Sequence, residues 1–154
     1  MKKTVKNALA ICFVAGLAFS FNSCKKQGCM DMNADNYMED AKKDDGSCVY
    51  PVINMGSSTN HSGDISGNGG TATGTKTFDQ TSATLGWDMS INATTGSFNL
   101  TVADADGTVV INQTLTANSG PQSADGTSSA GTTGTWTATV TLTDFDGIGD
   151  YSFQ

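Results

Sequence analysis

Asp31, Asn33 and Asp35 stand at i, i+2 and i+4, the spacing with which an EF-hand loop begins to surround calcium, and Asp44 and Asp45 follow soon after. Position six of such a loop is glycine and position twelve a bidentate glutamate. Asn36 and Lys42 occupy those places here, which excludes a regular EF-hand. Two expectations remain for Asp31, Asn33, Asp35, Asp44 and Asp45: an irregular calcium site, or turn and cap residues whose oxygens serve the backbone. A second acidic set, Asp144, Asp146 and Asp150 around Gly147 and Gly149, offers the same choice, with Asp104 or Asp106 from another hairpin as candidate partners. Trp87 and Trp136 are candidate sugar-stacking platforms, although each opens an alternating series that predicts core packing. Thr137, Thr139, Thr141 and Thr143 predict a hydroxylated stripe on one strand face, suited to carbohydrate or ice, or simply solvated. The single histidine, His61, lies in a Gly/Ser/Thr/Asn stretch with no second ligand or base partner beside it. No Gly-x-Ser-x-Gly elbow occurs, and nearly every aspartate falls in a turn or on a polar strand face, so the expectation is a protein that is not an enzyme.

The amino terminus sets the compartment in which those residues would act. Lys2, Lys3 and Lys6 precede an uncharged, mostly apolar run of 14 residues from Ala8 to Phe21. As a helix that run rises about 21 Å at ~1.5 Å per residue, short of the ~30 Å hydrocarbon core a permanent span must cross. It reads as a signal peptide to be removed. Phe21-Asn22-Ser23-Cys24 resembles a lipobox, the motif at which lipoprotein signal peptidase cleaves immediately before a cysteine bearing diacylglycerol. The resemblance implies a mature chain that starts at Cys24 and is acylated there, palmitate being the expected kind of chain. Each buried methylene contributes about 0.8 kcal/mol, so two chains anchor a protein stably without a transmembrane helix.

With Cys12 leaving in the signal and Cys24 taking lipid, Cys29 and Cys48 remain as one pair in a compartment where disulfides persist. They are expected to be bonded, and closing a loop of roughly 20 residues stabilises by about 3 kcal/mol in the chain-entropy account. From residue 24 onward the chain holds five lysines against fifteen carboxylates, a net charge of about −10. Binding to nucleic acid rests on basic residues that displace counterions, so no nucleic-acid partner is expected.

Gly28-Cys29-Met30-Asp31-Met32-Asn33-Ala34-Asp35-Asn36-Tyr37, with Ala41 and Asp44-Asp45-Gly46-Ser47-Cys48-Val49-Tyr50-Pro51, resembles a short Cys-bracketed module of secreted and surface proteins of Bacteroidota. The resemblance covers about 24 residues and implies an envelope lipoprotein of the outer membrane, on either its periplasmic or its outer face. It brings no activity with it.

The elements that must position these residues follow from periodicity. Residues 52–76 are rich in Gly, Ser, Thr and Asn and predict a linker or a loosely held first strand. Beyond it, Trp87, Met89 and Ile91, then Phe98, Leu100 and Val102, alternate with polar residues as half-buried strands do. Asp104-Ala105-Asp106-Gly107 predicts a hairpin turn, with Val109, Ile111 and Leu115 inward on the returning strand. Residues 118–134 predict a crossing loop. Trp136, Ala138, Val140 and Leu142 form the most regular series, and Asp146–Asp150 predicts a turn into a last strand at Tyr151–Gln154. Short strands with one apolar face each predict two packed antiparallel sheets. The expected fold is mainly β: a small antiparallel β-sandwich, jelly-roll or Ig-like, over residues 77–154, preceded by a disulfide module at 24–51 and a linker at 52–76. Gly96 to Phe153 weakly resembles pre-peptidase C-terminal modules of secreted bacterial enzymes, which supports the fold alone. The expected function is a noncatalytic lipid-anchored protein presenting a β-sandwich to a protein or glycan partner. The alternative is a structural accessory subunit of an outer-membrane protein complex.

Overall fold

The computed structural model describes residues 25–57 and 61–154. The expected signal peptide and Cys24 therefore lie outside the described residues. The described residues form eight strands: β1 (Gln27–Gly28), β2 (Lys43–Asp44), β3 (Val52–Asn54), β4 (Ser62–Gln80), β5 (Gly86–Ala103), β6 (Val109–Thr116), β7 (Gln122–Thr127) and β8 (Gly134–Phe153). β1 and β2 form a small parallel pair. The others join in one antiparallel sheet, ordered β3-β4-β8-β5-β6, with β7 also paired to β5.

Three strands of 18 to 20 residues build this sheet, and each bends once. The bends lie at Gly69 (φ 100°) in β4, Gly96 (φ 82°) in β5 and Asp144 (φ 46°) in β8, where the pairing shifts register. A bulge inserts one residue and so reverses which side chains face inward. In β8 the buried series runs 136, 138, 140, 142 and then 145, 151, 153; in β5 it runs 89, 91, 93 and then 98, 100, 102. The aligned bulges fold the sheet back on itself. One leaf holds β3, residues 62–68 of β4, 146–153 of β8, 86–93 of β5, and β7. The other holds residues 72–80 of β4, 134–143 of β8, 97–103 of β5, and β6. Rings meet between the leaves, Phe78 against Phe153 at 5.3 Å and Phe98 against Tyr151 at 6.3 Å between centroids. The fold is thus the expected antiparallel β-sandwich.

Several local expectations are corrected. Of the two expectations for residues 52–76 the linker fails and a strand is present, though not loosely held, since β3 and most of β4 lie there and β4 pairs with β8 along nearly its whole length. The strand escaped periodicity because several of its inward positions are glycine. A Cβ at Gly63 would lie 2.5 Å from Tyr151, and one at Gly74 would lie 2.9 Å from Ile53. The large residue facing each glycine fills the space a side chain would have taken. The same device hides the end of β8, where residues 146–150 continue the strand instead of turning. A Cβ at Gly147 would lie 2.5 Å from the Ala93 Cα, and one at Gly149 would lie 2.9 Å from Ile91. Within the predicted crossing loop, β7 forms against β5. Val109 is exposed, and Val110 is buried in its place beside Ile111 and Leu115.

Candidate functional site

Cys29 and Cys48 are bonded, and the module they close is docked on the sandwich. Asp35 Oδ1 accepts the backbone N–H groups of Asn68 (2.9 Å) and Gly70 (3.0 Å), and the carbonyl of Asn33 accepts the N–H of Thr71 (2.8 Å). All three donors flank the β4 bulge, so the module caps the bend. Gly70 lets it approach, since a Cβ there would lie 2.6 Å from the Asp35 carboxylate.

The other candidate calcium ligands are likewise committed to the backbone and to one another. Asp31 Oδ1 accepts the N–H of Asn33 (2.9 Å) and Oδ2 the Tyr50 hydroxyl (2.7 Å). The Asn33 N–H, and after it Tyr50, hold the Asp31 carboxyl below the usual carboxylate range, and the same contact raises the Tyr50 phenol. Asp44 accepts the N–H of Gly46 and Asp45 that of Ser47, each at 3.0 Å. The Ser47 hydroxyl and then its backbone N–H lower the Asp45 carboxyl. Among the described residues no three His, Cys, Asp or Glu side chains converge in a way that would hold a metal ion. In this structure Asp31, Asp44 and Asp45 hold turns, and Asp35 with the Asn33 carbonyl forms the clasp on β4.

Asp104 and Asp106 are not brought to Asp144, Asp146 or Asp150. Asp146 and Asp150 pair opposite Thr95 and Ser90, whereas Asp104 follows the other end of β5. Asp104 is buried and accepts the N–H groups of Asp106 (3.0 Å), Thr108 (2.8 Å) and Thr132 (2.8 Å). Those bonds, Thr132 first, pull its carboxyl below the usual range against the opposing effect of burial. Its role is to tie the β5–β6 hairpin to the segment before β8.

Neither tryptophan is a free platform. Trp136 is fully buried with Nε1 donating to the Thr132 carbonyl (2.7 Å), and Trp87 is half-buried against the core. His61 is half-buried, its ring 5.6 Å from that of Phe78. The threonine row does stand on the outer face of its leaf, with Thr73, Thr75 and Thr77 of β4 directly opposite Thr141, Thr139 and Thr137.

A concave site lies elsewhere, on the outer face of the five-stranded leaf. A groove of about 570 Å³ crosses β4, β8, β5 and the start of β7. The pairing fixes two rows across it: Asp64, Asp150, Ser90 and Ser123; and Ser66, Ile148 and Asn92. Asp64 Oδ1 accepts from Asn54 Nδ2 (3.1 Å), and Asp150 Oδ2 accepts from the Ser90 hydroxyl (3.1 Å). Ile148 is 62% exposed and supplies an apolar surface among these polar groups. One wall is the loop into β7, where Gln122 Nε2 donates to the carbonyl of Pro121 (3.1 Å). The groove is not legible in the sequence because its residues lie on strand stretches whose composition predicts linker, turn and crossing loop. Ser90 and Asn92 were visible, but only as the polar alternates of the Trp87 series.

No protein-family model and no curated protein matches this chain. Among solved structures it is similar to a chain described under "CBM4 structure and function", with 14% identity over 60% of this chain and 71% of that one and a TM-score of 0.42. It is also similar to TmCBM61 in complex with β-1,4-galactotriose, with 11% identity over 68% of each chain and a TM-score of 0.41. A third similarity is to arabinose-bound MgGH51 α-L-arabinofuranosidase, with 9% identity, a TM-score of 0.38, and 67% of this chain against 21% of that one.

Proposed function

We propose that this chain is a noncatalytic envelope lipoprotein, anchored in the outer membrane through acylated Cys24, whose sandwich binds a glycan in the groove over β4, β8, β5 and β7. The observation that carries the binding reading is the composition of the groove. Hydroxyls of Ser66, Ser90 and Ser123, the Asn92 amide and two carboxylates converge around the exposed Ile148. Ligand sites combine a concave surface with a few placed polar groups, and a sugar presents hydroxyls on its edges and C–H groups on its faces. The groove crosses four strands, which gives room for a segment of a sugar chain.

The test is retention of the full chain in neutral detergent on a panel of soluble polysaccharides, followed by calorimetry with the best oligosaccharide. Asn92→Ala and Ser123→Ala are each expected to weaken binding about 3- to 10-fold, the scale of one net hydrogen bond. Wild-type affinity in both variants would remove the groove from the reading. Intact mass of the membrane-extracted protein beside a Cys24→Ser variant tests the anchor; a species without acyl mass would sink it.

One observation favours the alternative of an accessory subunit. Asp35 locks the module to β4, and β1 starts three residues after Cys24, so an acylated chain would hold its sandwich close to the bilayer with no long spacer. Stoichiometric copurification with one outer-membrane protein in detergent, with no glycan retention, would favour that reading.

A further inference from the structure

Asp64 and Asp150 are direct cross-strand partners inside the groove. Like charges placed opposite each other on adjacent strands repel, so such a pair is normally destabilising. Each carboxylate has one oxygen engaged by a neutral donor, Asn54 or Ser90. No lysine lines the groove. Lys25, Lys26, Lys42 and Lys43 belong to the disulfide module, and Lys76 donates to the carbonyls of Met55 and Ser57. The groove therefore holds two acceptor groups side by side, with no cationic side chain of the described residues lining it.

This arrangement rests on the glycan reading above and narrows it. We infer that the groove is selective for a glycan bearing an unsubstituted, protonated amino group, which would lie between Asp64 and Asp150, and that it rejects uronate and sulfated chains. An ammonium group supplies three donors and a positive charge to two carboxylates that otherwise face each other. N-acetylation removes the charge and two of the donors. A uronate carboxylate would bring a third negative charge into the same groove. Ile148, on the neighbouring row, remains available for the C–H face of the ring.

The experiment is calorimetry on the full chain in neutral detergent, with a glucosamine hexamer, its fully N-acetylated counterpart and an oligogalacturonate, at a pH where the amine is protonated. The amino oligomer is expected to bind about fivefold or more tightly than the acetylated one, the scale of a partly exposed ion pair, with no measurable binding of the uronate. That preference should fall below about twofold in Asp64→Asn and in Asp150→Asn, both conservative changes at exposed positions. Asp79→Asn, on the opposite leaf, controls for attraction between a polycation and an acidic domain and should leave the preference intact. Equal affinity for the amino and acetylated oligomers overturns the inference and leaves the glycan groove standing. An equal loss of preference in Asp79→Asn also overturns it. Failure of every sugar, neutral ones included, removes the groove reading itself.

Discussion

Asp104 shows how a single side chain can be legible as a type and illegible as a role. Its place in Asp-Ala-Asp-Gly marked a hairpin turn, and the turn is there. What the sequence hid is the partner 28 residues away, Thr132, whose N–H is held by the other carboxylate oxygen. The pH behaviour follows from the direction of the shift. The folded carboxyl titrates below its unfolded value near 3.9, so its contribution is fully present above that value and is lost as pH falls through the folded pKa. Asp104→Asn should therefore lower Tm by a constant amount from about pH 8 to pH 5, with the gap to wild type narrowing below about pH 4. Thermal melts of both proteins at pH 7, 5 and 3 check this; a gap that stays constant down to pH 3 would refute it. The core residues were read more fully, because Phe98, Leu100, Val102 and the Trp136 series alternate without interruption and all are completely buried. Phe98→Ala should cost about 3–5 kcal/mol in chemical denaturation, the usual cost of removing a buried aromatic ring.

At the scale of elements, legibility tracked how the inward positions are filled. β5 and β8 showed wherever they use large apolar residues, and vanished where they or their neighbours use glycine to admit a facing side chain. β4 is the extreme case, with Gly63, Gly67 and Gly74 along it and only Ile65 and Phe78 as large buried residues. Bulges compound the difficulty, because each reverses the parity on which strand recognition depends. Gly96 is the least replaceable of them. Its φ of 82° disfavours a side chain, and a Cβ would lie 2.3 Å from the Asp144 carbonyl oxygen. Gly96→Ala is expected to abolish folding, as read by loss of the β-sheet circular dichroism signal, whereas a folded, wild-type-stable variant would show that the fold line is not fixed there. The clasp on β4 is a second element-scale case. Asp35→Ala would leave the N–H of buried Gly70 unpaired, a cost of about 1–3 kcal/mol, while that of exposed Asn68 would turn to water. Amide exchange at Asn68 and Gly70 should accelerate in this variant more than exchange in the middle of β8. Reducing Cys29–Cys48 should speed the same two amides, because the bond closes the loop that presents Asp35.

Across the whole molecule the two outer faces differ in charge, and that difference bears on what the sandwich is arranged to do. From residue 52 onward there is one lysine against nine aspartates, a net charge of about −8. The four-stranded leaf shows threonines in register on β4 and β8, with Asp79 only at its end. The five-stranded leaf carries Asp64, Asp150, Asp88 and Asp125, arranged as two directly opposed pairs. Exchanging one member of such a pair for a neutral isostere would relieve repulsion without disturbing the core. Asp150→Asn keeps an acceptor for the Ser90 hydroxyl and removes the charge facing Asp64. It should raise Tm by about 1–3 °C at low ionic strength, while weakening whatever the groove binds. Because the repulsion lies at an exposed surface it is screened by salt, so the gain should shrink as salt approaches about 1 M, where the Debye length is ~3 Å. Melting wild type and Asp150→Asn across a salt series separates this from a packing effect, which salt would leave in place. A variant that is less stable at every salt concentration would mean that Asp150 supports the strand itself, and that the pair carries no stored repulsion for a ligand to relieve.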